Sequence, residues 1–284
     1  MVVVAGPQTD LLPGEVEALG AYMDRGGKLL VLLDPPPNTE TPTLDGLLAL
    51  IGEWGVEAGT DIVVDASGMG QLFGADASVP VAADYPSHPI TEQFNLLTAY
   101  PLARSLRAST VPVAGRIPQP FIETSPQSWS EANIDALTGG EVELNEDVGD
   151  RPGPIAIGVA VSAPAPNPSP STASTDPEAA PAEDAADAEG DDAIDPPESR
   201  LAVIGDSDFA TNGVVGIQGN RDMFLNAVSW LAQQENLIAI RPREPDDRRL
   251  TVTADQQRRV FWLSILFIPA AALGAGVYTW WRRR

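Results

Sequence analysis

VVVAGPQTDLLPGEVEALGAYMDRGGKLLVLLDP, residues 2–35, reads as strand, helix, strand. The opening run, residues 1–5, is apolar and valine-rich, the pattern of a strand buried on both faces. Gly6 and Pro7 turn the chain. Pro13 suits the first helical position, where its missing N–H would have no partner anyway. Leu12, Val16, Leu19 and Met23 follow at helical spacing, and Gly26 and Gly27 stop the helix. Residues 28–33 form a second apolar run, closed by Asp34 and three prolines. Two such strands joined through a helix make a βαβ unit, which predicts a parallel sheet.

The alternation continues outward from this unit. Leu44, Leu47, Leu48, Ile51 and Trp54 share one helical face, and Gly55 ends it. Residues 62–64 read as a third strand between Asp61 and Asp65, residues 155–161 as another, and residues 201–204 as the next. Phe224, Ala227, Val228 and Leu231 mark a helix for which Asn220 is a capping residue. Residues 66–150 are rich in Pro, Gly and Ser and predict irregular loops with one or two short strands. The fold class that follows is α/β, with a Rossmann-like, mostly parallel sheet built from residues 1–161 and 200–240.

Between the last two strands lies a different kind of sequence. Residues 162–199 hold ten acidic residues and no basic one, and Ile194 is their only large apolar side chain. Such a composition cannot offset its ordering entropy by burial, so it predicts a disordered, solvated insertion. The whole chain carries a net charge of −23, yet nine of its 17 basic residues fall within residues 241–284. An acidic body argues against nucleic acid, whose phosphates need clustered Lys and Arg. The chain has no cysteine, so it offers no disulfide evidence about its compartment.

The basic residues flank a membrane-like segment. Residues 260–281 carry no formal charge, and Arg282, Arg283 and Arg284 end the protein. As a helix this segment spans roughly 33 Å, enough for a hydrocarbon core of about 30 Å. Trp262 near one end and Tyr278, Trp280 and Trp281 near the other suit an aromatic belt. The expectation is a transmembrane helix over 260–281, a basic juxtamembrane segment over 241–259 that meets lipid headgroups, and a cytoplasmic C-terminus. Ala270 and Gly274 are four apart, as are Ala272 and Gly276. Small residues at that spacing let a second helix approach closely.

Few residues offer chemistry. Asp34 sits at the carboxyl end of a predicted parallel strand, where open α/β sheets bind ligands. An aspartate ahead of prolines also forms turns. No glycine-rich dinucleotide fingerprint precedes it, and the Gly68-Met69-Gly70 stretch is too short to be one, so no cofactor is expected. Asp206 and Asp208 directly follow a strand. With Asn212 they could hold Mg²⁺, or they could cap their own turn. His88 is the only histidine, which leaves zinc and triad chemistry without partners.

Several stretches together resemble the GldG-type gliding-motility family of ABC-transporter auxiliary proteins: residues 2–35, HPIT at 88–91, RLAVIGDSDFATN at 200–212, GNRDMFLNAVSWLAQQENLIAIRPRE at 219–244, and the terminal apolar segment with its arginines. The resemblance implies a non-catalytic α/β domain outside the cytoplasm, membrane-anchored, with ABC permease and ATPase subunits as partners. It also implies a glutamine-amidotransferase-like layout without the nucleophilic cysteine. Family members carry an earlier α/β portion, so the chain reads as the C-terminal portion of a longer protein. The strand edge exposed in that case invites association, including with a second copy. The competing reading is a metal-dependent hydrolase using Asp206 and Asp208.

Overall fold

The computed structural model describes residues 1–37, 43–134, 143–168, 197–233 and 268–283. Residues Met1–Arg241 and Pro242–Arg284 fall into two separate units. In the first, β1 (Val2–Ala5), α1 (Pro13–Asp24) and β2 (Lys28–Leu32) form the expected βαβ unit, with β1 and β2 parallel. Glu15 accepts the Leu12 N–H at 2.8 Å and so closes the start of α1. Gly26, at φ 97°, turns the chain out of the helix in a conformation that costs other residues more.

The main sheet has five strands in the order β1, β2, β12, β11, β8, where β8 is Gln119–Glu123, β11 Ala156–Pro164 and β12 Glu198–Ile204. β12 runs parallel to β2, but β11 is antiparallel to both β12 and β8. The sheet is therefore mixed, not mostly parallel. A parallel connection from β11 to β12 would need a crossover element over the sheet. The chain instead returns beside itself, and the pairing runs past the expected strand ends to Ala163↔Ser199 and Pro164↔Glu198. Residues 169–196 of the acidic insertion lie outside the described residues.

Alternation along β2 and β12 sorts the core into two layers. Leu29, Val31, Leu201 and Val203 pack with α1 and α2 (Asp45–Gly52), whose Met23, Leu47, Leu50 and Ile51 are buried. Leu30, Leu32, Ala202 and Ile204 pack on the other face with α3 (Asn220–Leu231), through Met223, Ala227, Trp230 and Leu231. Each of the Val, Leu, Ile and Met side chains among them stabilises the fold by about 1.5–3 kcal/mol on full burial.

Residues 56–152 hold more structure than their composition suggests. β3 (Val56–Ala58) pairs with β7 (Leu106–Ala108), and β5 (Val81–Ala82) with β6 (Thr98–Ala99). β4 (Ile62–Asp65) joins β9 (Ser128–Glu131) and β10 (Arg151–Pro152) in a three-stranded antiparallel sheet, apart from the main one. Five strands thus lie within 66–150, against one or two expected.

One smaller expectation is also corrected. Asn220 does not cap α3. Its buried amide accepts the Ala99 N–H and donates to the Ala99 carbonyl, both at 2.9 Å, completing the backbone pairing of β6. At the C-terminus, α4 (Ile268–Arg282) has 15 residues, roughly 22 Å of helix. No helix among the described residues is long and apolar enough to cross a membrane. Residues 260–267 of the expected span, and all of 241–259, lie outside the described residues.

Candidate functional site

The carboxyl ends of β1, β2 and β12 meet at one place. Leu33 N–H bonds to the Ile204 carbonyl at 2.9 Å, and Gly6 N–H to the Leu32 carbonyl at 3.0 Å. This alignment brings Asp34 beside Ser207, 173 positions away along the chain. Asp34 accepts the Ser207 N–H at 2.6 Å on one oxygen and the Ser207 hydroxyl at 2.8 Å on the other. Its side chain therefore ties the end of β2 to the turn after β12.

Asp206 and Asp208 lie two positions apart in one turn but differ in burial. Asp206 is 1% exposed, whereas Asp208 is exposed. Asp206 Oδ1 accepts the Asp208 N–H at 2.7 Å, an Asx-type bond within its own turn. Asn212 is exposed in the turn beyond. Among the described residues no group of three or more His, Asp or Glu side chains is placed to hold a metal ion. Asp206 Oδ2 is buried without a hydrogen-bond partner, as is the hydroxyl of the fully buried Tyr100.

Burial drives the Asp206 carboxyl well above its ordinary pKa of 3.8, and the charges of Asp34 and Asp208 add to it against the opposing Asp208 N–H bond. The folded protein thus holds a proton that the unfolded chain releases. The stability this supplies is full below 3.8 and is lost as pH rises through the folded value. Asp206→Asn keeps an acceptor for the Asp208 N–H and removes the charge. The variant should melt above the wild type at mildly alkaline pH and show a flatter dependence of Tm on pH. Parallel melting curves that never cross or converge would show that Asp206 does not carry this dependence.

A cleft of about 260 Å³ opens beside Asp34. Pro7, Pro35, Pro36, Leu44 and Leu48 form its apolar walls, and Arg104 lines it as well. Arg104 was not legible as a site residue. It is 3% exposed, and its guanidinium donates to the Gly59 carbonyl through Nε at 2.7 Å and through Nη2, and to the Asp34 carbonyl through Nη1 at 3.2 Å. Its backbone N–H bonds to the Gly205 carbonyl at 2.7 Å, which fixes it against the end of β12. Burial pushes its pKa down, while the nearby Asp61 and Asp34 charges act the other way.

Asp61 itself is committed elsewhere. It accepts the Ser105 N–H and hydroxyl at 3.0 and 2.8 Å and pairs with Arg151 at 2.9 Å. Burial works to raise its pKa, but these bonds outweigh it and hold the carboxyl below its usual range. The lone His88 is structural. Its Nδ1 accepts the Ile90 N–H at 3.1 Å, and its ring lies 5.1 Å from Trp230 and 5.7 Å from Phe121. Of the four small residues at helix-packing spacing, Ala270, Ala272, Gly274 and Gly276, all lie in α4, and Gly276 faces open space.

The mmIFT52 N-terminal domain has a similar structure, with a TM-score of 0.49 and 17% sequence identity over 81% of this chain and 75% of that one. No curated protein sequence matches the chain. A family model described as an ABC-type uncharacterized transport system matches residues 1–234, well over half of the sequence, and the chain belongs to that family.

Proposed function

We propose that this chain is a non-catalytic auxiliary component of an ABC-type transport system, of the GldG type, acting in export or gliding motility. Its α/β domain lies outside the cytoplasm, residues 260–281 anchor it in the membrane, and it works with the permease and ATPase subunits. The family match over residues 1–234 is the observation that carries the reading. Two features agree with it. Asp34, and the Asp206 oxygen that bonds, serve the turns that join the strand ends, rather than a shared ion. α4 leaves Val277, Tyr278, Trp280 and Trp281 between 57% and 74% exposed, directly ahead of Arg282, as an interfacial helix end requires.

Affinity purification of the tagged full chain from detergent-solubilised membranes should bring down the permease. Gly274→Leu with Gly276→Leu should leave the protein in the membrane fraction and weaken that co-purification, because leucines hold two helices apart. Recovery in the soluble fraction, or a membrane-bound protein that never captures a permease, would defeat the reading.

A further inference from the structure

We infer that the cleft at the carboxyl end of β1 and β2 binds a small organic carboxylate, with the carboxylate on the Arg104 guanidinium and the apolar body against the prolines and leucines. The charges bonded around Arg104 are out of balance. A guanidinium carries five N–H donors and always its cation. The contacts of Arg104 are to the carbonyls of Gly59 and Asp34, which orient it but neutralise nothing. The two ion pairs among the described residues are Arg151 with Asp61 and Arg200 with Glu198. Asp61 is held by Ser105 and Arg151, and Asp34 turns both carboxylate oxygens to Ser207. The nearby acids thus moderate the field around Arg104 without bonding to it.

A buried cation without a bonded anion is costly, and a carboxylate brought to it forms the stronger, charge-assisted kind of hydrogen bond. The cleft supplies the rest of such a ligand's needs. Its volume of about 260 Å³ lies just under the range of about 300–1,000 Å³ usual for larger ligands, so the occupant is small. Four of its lining residues, Pro7 and Pro35 to Pro37, are prolines, whose rings are rigid and present apolar surface with no N–H donor. The cleft also sits outside the carboxyl ends of parallel strands, where α/β sheets commonly bind ligands. This inference stands apart from the choice of transport partner.

The test is calorimetric titration of the full chain with sodium benzoate and sodium hexanoate, beside benzamide and benzylammonium chloride. At least one carboxylate should bind at least about tenfold more tightly than the neutral and cationic probes. Arg104→Gln should remove that preference. Because Arg104 also holds two backbone carbonyls, that variant is checked by its melting curve. Leu48→Trp leaves Arg104 in place, fills the cleft, and should weaken carboxylate binding at least about tenfold. Failure of both carboxylates to bind, equal binding of benzamide, or unchanged affinity in Leu48→Trp would each overturn the inference.

Discussion

Gly205→Ala should destabilise the protein by roughly 3 kcal/mol, the upper end of overpacking effects. Gly205 stands between the end of β12 and the Asp206 turn. A methyl group there would overlap the Arg104 carbonyl oxygen and lie 3.1 Å from Arg104 Cγ. The obstacle is backbone, and neither side is free to retreat. Gly205 donates its N–H to the Ile157 carbonyl at 2.8 Å and accepts the Arg104 N–H at 2.7 Å. Relief therefore means breaking a bond to β11 or displacing the segment that carries Arg104. Gly213→Ala is the matched control, since nothing lies within 4 Å of its added carbon. Denaturant melts should show a large loss for the first and a change within about 0.5 kcal/mol for the second. Equal effects would mean that the Arg104–Gly205 contact does not hold the site.

Phe209→Ala should cost about 3–5 kcal/mol. Phe209 is fully buried in the single turn Asp208–Ala210, where its ring lies 5.4 Å from Tyr100 and 6.4 Å from Phe224. It is the large apolar anchor of this turn, with the smaller Ala210 packed beside it against the core. Its loss opens a cavity under α3 and releases the Asp206-to-Asp208 segment from the core. Thermal melts should fall by roughly 10 °C, at about 2–4 °C per kcal/mol for a domain of this size. A drop of only a degree or two would place the turn's stability in its hydrogen bonds instead.

The parts legible in the sequence share a physical character. β1, β2 and the 201–204 end of β12 are apolar runs, and α1 to α3 carry a helical period, so each element announces itself locally. The direction of β11 does not. A buried strand has the same composition whichever way it runs. The signal that could have settled it was the insertion, which lacks the helical pattern a parallel crossover usually carries. Strands of two to five residues in 66–150 are too short to show a period, so that region read as loop. At the site, Asp34 and Asp206 were visible because they follow strands. The pairing of Asp34 with Ser207 was not, since it exists only once β2 and β12 lie side by side. Arg104 sits among small and apolar residues, and its burial is a property of the packing around it. Asn220 shows the same limit: its residue type fits a helix cap, but its position in the core assigns it to β6.

The ladder between β11 and β12 has one more consequence. Its last pair is Pro164 with Glu198, and beyond it Ala165 N–H bonds to the Pro197 carbonyl at 2.8 Å. The two ends of the acidic segment are thus clasped together by the sheet. The strands hold its two ends together, and lengthening or shortening the segment between them is expected to change the free energy by only about 0.6 kcal/mol per doubling, a difference that denaturant melts of length variants would read. That makes this point of the chain a natural port, where evolution or an engineer can splice in a tag, a reporter or a second domain while the α/β body keeps its shape.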